Sequence, residues 1–71
     1  MVVTVTQTEK ILTGDYKFSQ LGFSLLITRW KRIYNGDTSQ STLEDCVEEI
    51  NTFLRKYAII MAEDYAAISQ L

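Results

Sequence analysis

TLEDCVEEINTFLRKYAIIMAEDYAAISQL, residues 42–71, is a stretch of thirty residues without glycine or proline. Within it Leu43, Val47, Ile50, Leu54, Tyr57, Met61, Asp64, Ile68 and Leu71 follow at alternating spacings of four and three, the repeat of a helix whose apolar seam faces a neighbour along its length. Cys46, Phe53, Ile60 and Ala67 add a flanking column at intervals of seven. The apolar face is therefore wider than a two-stranded coiled coil needs and suits a helix with two neighbours. The pattern predicts one long helix over residues 42–70, about 43 Å at ~1.5 Å per residue. Ser41 followed by Glu44 reads as a capping box, and Glu44, Asp45, Glu48 and Glu49 put negative charge in the first two turns, where the helix dipole favours it. Asp64 is the polar member of the seam; such a residue selects register or partner, or marks where the helix frays.

Upstream, Asn35-Gly36 and the polar run Asp37-Thr38-Ser39-Gln40-Ser41-Thr42 read as a stop and a turn. They close a second helix over residues 16–35, in which Phe23, Leu26, Ile27, Trp30, Ile33 and Tyr34 recur at helical spacing and Phe18, Leu21 and Leu25 form an adjoining strip. Gly14-Asp15 interrupts before it, glycine supplying a left-handed helix end and aspartate a cap for the next helix. A capping box of Thr6 with Glu9 then starts a short helix over 7–13, carrying Ile11 and Leu12. Residues 1–6, where Val2, Val3 and Val5 alternate with Thr4 and Thr6, read as a tail or edge strand.

These pieces make a single all-α domain, a helical hairpin of short helix 1, helix 2 and long helix 3. Folding about residues 36–41 places opposite one another residues whose numbers add to about 77, so that Trp30 meets Val47 and Phe23 meets Leu54. The same register brings Arg29, Lys31 and Arg32 beside Glu44, Asp45, Glu48 and Glu49. Helix 3 overhangs helix 2 by about nine residues, which the short first helix covers. Gly22 either admits a closely packed helix or simply weakens its own.

At 71 residues the chain sits near the size below which one core seldom supplies more than ~3–5 kcal/mol. One cysteine and no histidine remove disulfides and a zinc cluster as supplements, leaving oligomerisation. Two hairpins pairing about a two-fold axis would complete a four-helix bundle. A homodimer is therefore the expected assembly, with Leu21, Leu25, Phe53, Ile60, Asp64, Ile68 and Leu71 as its interface and room for a partner protein's helix on the same faces.

The net charge of -2 gives no global attraction to nucleic acid or anionic lipid. It is unevenly spread: Lys10, Lys17, Arg29, Lys31 and Arg32 face only Glu9 and Asp15 in residues 1–36, whereas Arg55 and Lys56 face seven acidic residues in 37–71. The basic end of helix 2, Arg29, Lys31 and Arg32 with Trp30 and Tyr34, supports a competing reading as a small nucleic-acid-binding regulator. Packing is favoured over that reading, because Trp30 falls on the apolar face and the acidic start of helix 3 lies opposite.

Cys46 near a helix start could be a reactive thiol, but there is no histidine base and its neighbours are acidic. Glu48 and Glu49, like Glu63 and Asp64, diverge by about 100° on a helix and do not form a converging pair. No catalytic residue, metal site or cofactor motif is expected, and no enzyme. The apolar stretch Leu21–Ile27 is far short of the ~20 residues of a membrane helix, and the first residues lack a signal peptide's basic start and continuous apolar core. The expectation is a cytoplasmic, non-enzymatic protein–protein interaction or oligomerisation module.

Overall fold

The computed structural model describes residues 2–71; Met1, part of the expected tail, lies outside the described residues. α1 spans Val5–Thr13, α2 Leu21–Gly36 and α3 Gln40–Lys56, and a 3-10 turn over Ala58–Met61 leads into α4, Ala62–Ser69. Every regular element among the described residues is helical. α2 and α3 form the antiparallel hairpin and α1 packs against both. The Trp30 Nε1–H donates to Glu49 Oε2 at 2.8 Å, Arg29 pairs with Glu49, and the Phe23 and Phe53 rings lie 5.6 Å apart. The numbers of each pair add to within two of the expected 77.

The core follows from the helical stripes. Phe23, Ile27, Trp30 and Tyr34 of α2 meet Leu43, Cys46, Ile50 and Leu54 of α3, with Ile11 and Leu12 of α1 closing one end. Burying one such large side chain contributes ~1.5–3 kcal/mol, so the stripes, more than helix propensity, hold these short elements in place. Gly22 lies where α2 and α3 approach: a Cβ there would stand 3.3 Å from the tip of Phe53 and 3.1 Å from Gln20 Oε1.

The helix ends differ from their sequence reading. α1 begins at Val5 because Thr4, not Thr6, is its cap: Thr4 Oγ1 accepts from the Gln7 N–H, and Gln7 Oε1 accepts from the Thr4 N–H. The motif Thr-x-x-Gln two residues upstream thus outcompetes Thr6-x-x-Glu9. α3 likewise starts two residues before the expected Thr42, with Ser39 as cap in place of Ser41 and no acidic residue in its first turn. Asp37 ties this turn together. It accepts from the Thr42 hydroxyl and the Ser39 N–H, bonds that hold its carboxyl below its ordinary pKa, the Thr42 bond contributing most. No described residue has a positive φ, so Gly14 does not end its helix in the left-handed form expected of it, while α2 stops at Gly36 as expected. Gly14 is extended, and a Cβ there would stand 2.8 Å from the Lys10 carbonyl and press into the Tyr16 ring.

Two larger departures share one cause. α2 starts at Leu21 rather than at residue 16, and the long helix expected over 42–70 is broken at Tyr57. Asp64, only 3% exposed, accepts from the Ser19 N–H at 2.7 Å, the Ser19 hydroxyl at 3.0 Å and the Gln20 N–H at 3.0 Å. A buried carboxyl without partners is costly, and these partners come from a stretch that must stay non-helical to offer them. A straight helix from Gln40 would carry Asp64 about 36 Å from its start at ~1.5 Å per residue, past the 32 Å longest dimension of the molecule. The bend at residues 57–61 turns α4 back, burying Met61 and Ile68 completely and leaving α4 tied to α1 by Gln7 Nε2 on the Ile68 carbonyl and Lys10 Nζ on the Leu71 carbonyl.

The segment before α1 is neither a loose tail nor a strand of a sheet. Val3 is fully buried, and the Asn51 carboxamide accepts from its N–H at 2.8 Å and donates to its carbonyl at 3.0 Å. One side chain of α3 thus supplies both bonds that a neighbouring strand would give.

Replacing Asp64 by asparagine keeps the size but turns one acceptor into a donor facing another donor. Asp64→Asn is expected to destabilise the fold by ~1–3 kcal/mol, read as a lower urea midpoint at unchanged slope; an unchanged midpoint would show that the Ser19–Gln20 bonds hold nothing.

Candidate interaction face

Along α2, Leu21 and Leu25 sit one turn apart and are 72% and 62% exposed. Beside them Gly22 and Leu26 form the edge of α2 that meets Phe53 of α3. Phe53 stacks at 4.7 Å on Tyr57, and at the bend Ile60 is 56% and Ile59 95% exposed. Leu26, Phe53 and Tyr57 run together toward the isoleucines of the bend, and Leu21 and Leu25 lie on the neighbouring outer side of α2, about 100° around the helix from Gly22 and Leu26. Shallow hollows mark the run, one between Leu26, Phe53 and Tyr57 and the next around Tyr57, Ile59 and Ile60. Apolar side chains contiguous on this scale mark association surfaces more often than ordinary solvent-facing surface does.

The seven residues expected at an interface separate into two groups. Leu21, Leu25 and Ile60 are exposed and Phe53 is half-buried on this side. Asp64 and Ile68 are buried inside the chain's own core, and Leu71 packs against that core. The bend makes the difference, since it redirects the last third of the seam inward. Tyr57 and Ile59 join the exposed side, although the spacing puts Tyr57 in the seam and gives Ile59 a place in neither column. The available signal was the consecutive Ile59-Ile60 pair, which cannot both lie on a heptad seam.

The basic residues of α2 do not converge. Arg29 is spent on Glu49 and stands 5.9 Å over the Trp30 ring, Lys31 Nζ donates to the Gly14 carbonyl at 2.8 Å, and Arg32 is exposed. Both members of the Arg29–Glu49 pair are well solvated, so it contributes at most ~1 kcal/mol and serves mainly to set the register. A recess of about 380 Å³ lies between the loop after α1 and α2, lined by Lys17 and Lys31 among others; the Ser24 and Thr28 hydroxyls lining it already donate to the Phe18 and Ser24 carbonyls.

Among the described residues there is no group of three acidic, cysteine or histidine side chains placed to hold a metal, and no helix is long and apolar enough to cross a membrane. Cys46 is buried beneath α2. Burial first, and the nearby Glu49 charge second, push its thiol up to about 12 against a small opposing effect of Arg29. Comparison with protein-family models, curated proteins and solved structures finds no match, so the face is interpreted from its own chemistry.

The thiolate is the reactive form of cysteine, and a shift of this size leaves roughly a thousandfold less of it at neutral pH than an ordinary thiol has. Native protein is expected to react with iodoacetamide at least a hundredfold more slowly than urea-unfolded protein, on the order of magnitude this shift sets. Equal rates would contradict the placement of Cys46.

Proposed function

We propose that the chain is a non-enzymatic interaction module that self-associates through the face carrying Leu21, Leu25, Phe53 and Ile60. The observation that carries this reading is the exposure of Leu21 and Leu25 on α2 and of Tyr57, Ile59 and Ile60 at the bend, with Phe53 half-buried; Val2, Val5, Tyr16 and Ile33 are exposed as well. Leaving such side chains in water forgoes ~25 cal/mol for each Å² that a partner would cover. A standard interface covers ~800 Å² per partner, under a fifth of the 4548 Å² that one chain exposes. A homodimer is favoured because an apolar strip lying across an antiparallel hairpin can meet its own two-fold copy, aliphatic on aromatic. A foreign helix laid in the shallow groove between α2 and α3 is the other occupant such a surface accepts.

Light scattering behind gel filtration, over a concentration series, tests the reading. The wild-type chain is expected to dimerise in the micromolar range, and Leu21→Glu with Leu25→Glu to remain helical while shifting to monomer by at least tenfold in Kd, about 1.4 kcal/mol. A wild-type chain that stays monomeric at several hundred micromolar (about the weak limit of specific pairing) would overturn self-association.

A further inference from the structure

The bend between α3 and α4 has three properties that together point beyond a fixed fold. The sequence carries no helix breaker there: residues 54–64 contain neither glycine nor proline, and the apolar spacing Leu54, Tyr57, Met61, Asp64, Ile68 runs through without a change of phase. Tyr57, at φ -116° and ψ 34°, and Met61, at φ -104° and ψ 8°, depart from helical values at its two ends, and neither has a positive φ. Returning φ and ψ at these two residues to the helical range, with the 3-10 turn between them relaxing to α, would merge α3, the turn and α4 into one continuous helix.

What holds α4 in its bent position is a short set of bonds and a few buried side chains. Asp64 binds Ser19 and Gln20, Gln7 and Lys10 reach the Ile68 and Leu71 carbonyls, and Met61 and Ile68 fill the core. None of these contacts depends on which copy of the chain supplies α4. The third property is the exposure of Ile59 and Ile60 at the outside of the bend, 95% and 56%. In the bent form Ile59 gains almost nothing and Ile60 is covered only in part. Where two straightened helices pass one another, they would lie against their counterparts.

We propose that α4 is an exchangeable segment: α3 and α4 straighten into one helix, and α4 of each chain fills the place of α4 in a second copy, with Ile59 and Ile60 forming the new contact between the two crossing helices. The partner is a second copy of this chain, as in the self-association reading, but the contact shares only Ile60 with that face, and the distance within one chain tells the two apart. Exchange restores every bond that straightening breaks and adds the hinge contact, so its cost is concentrated in the entropy of pairing.

Pulsed electron-spin resonance on a doubly labelled chain tests this. Ser41→Cys with Gln70→Cys places labels on two exposed residues, while the buried native Cys46 stays unlabelled. The labelled chain is unfolded and refolded with excess unlabelled protein at high concentration, so that only distances within one chain are read, and monomer and dimer are separated by gel filtration. In the exchanged dimer the backbone separation is ~43 Å, the length of a continuous helix; in the monomer it stays within the 32 Å long axis of the bent form. Glycine at both hinge positions, Ile59→Gly with Ile60→Gly, is expected to weaken the exchanged dimer on the order of tenfold, because glycine disfavours a helix interior and removes the hinge contact. A dimer that keeps the monomer's distance overturns exchange and leaves face pairing standing. A long distance that survives Leu21→Glu with Leu25→Glu supports exchange and removes face pairing. Monomer alone at every concentration overturns both.

Discussion

A carboxyl group enclosed by apolar side chains loses its hydration, and it stays there only if donors from the protein replace the water. Asp64 receives those donors from Ser19 and Gln20, 45 and 44 residues earlier in the chain. Satisfying it keeps the segment before α2 out of the helix and brings α4 back across the molecule. With α4 in place, Met61 and Ile68 close the core and α1 gains a second surface. Removing the Asp64 carboxylate would take the acceptor from two part-buried backbone N–H groups and from the Ser19 hydroxyl, so the arrangement is held by mutual need on both sides.

The arrangement of α2 and α3 was legible because it rests on long-period signals. Phe23, Ile27, Trp30 and Tyr34 repeat often enough to define a buried stripe, and opposite charge at Arg29 and Glu49 fixed the antiparallel register to within two residues. The ends of the helices were less legible, since they turn on single hydrogen bonds. Thr4 with Gln7 and Thr6 with Glu9 are equivalent as patterns, and only the burial of Val3 under Asn51 favours the first. The bend at Tyr57 had no local signal at all. Its cause lies in Ser19, a residue that no helical pattern connects to Asp64.

The exposed side was half legible for the same reason. Leu21 and Leu25 stand out as a strip additional to what one neighbour could cover, and they are exposed. Spacing groups Asp64 and Ile68 with them, because a straight helix would carry both out beyond the core. The structure instead places them within it, and moves Tyr57 and Ile59 outward in exchange. The basic residues of α2 illustrate a related point: three cations close in sequence serve three directions in space, one toward α3, one toward the loop after α1 and one toward solvent.

The ties of α1 have a consequence for the order in which the molecule can be built. Val3 is held by a residue 48 positions later, and Gln7 and Lys10 by residues 61 positions later. Helical proteins usually close on near neighbours in the chain and fold fast for that reason. A nine-residue helix standing alone falls below the ~12–15 residues at which isolated helices become even marginal in water. α1 therefore depends on partners made later in the chain: it gains a surface to pack on once α2 and α3 are in place, and α4 with Leu71 then adds the ties to Gln7 and Lys10.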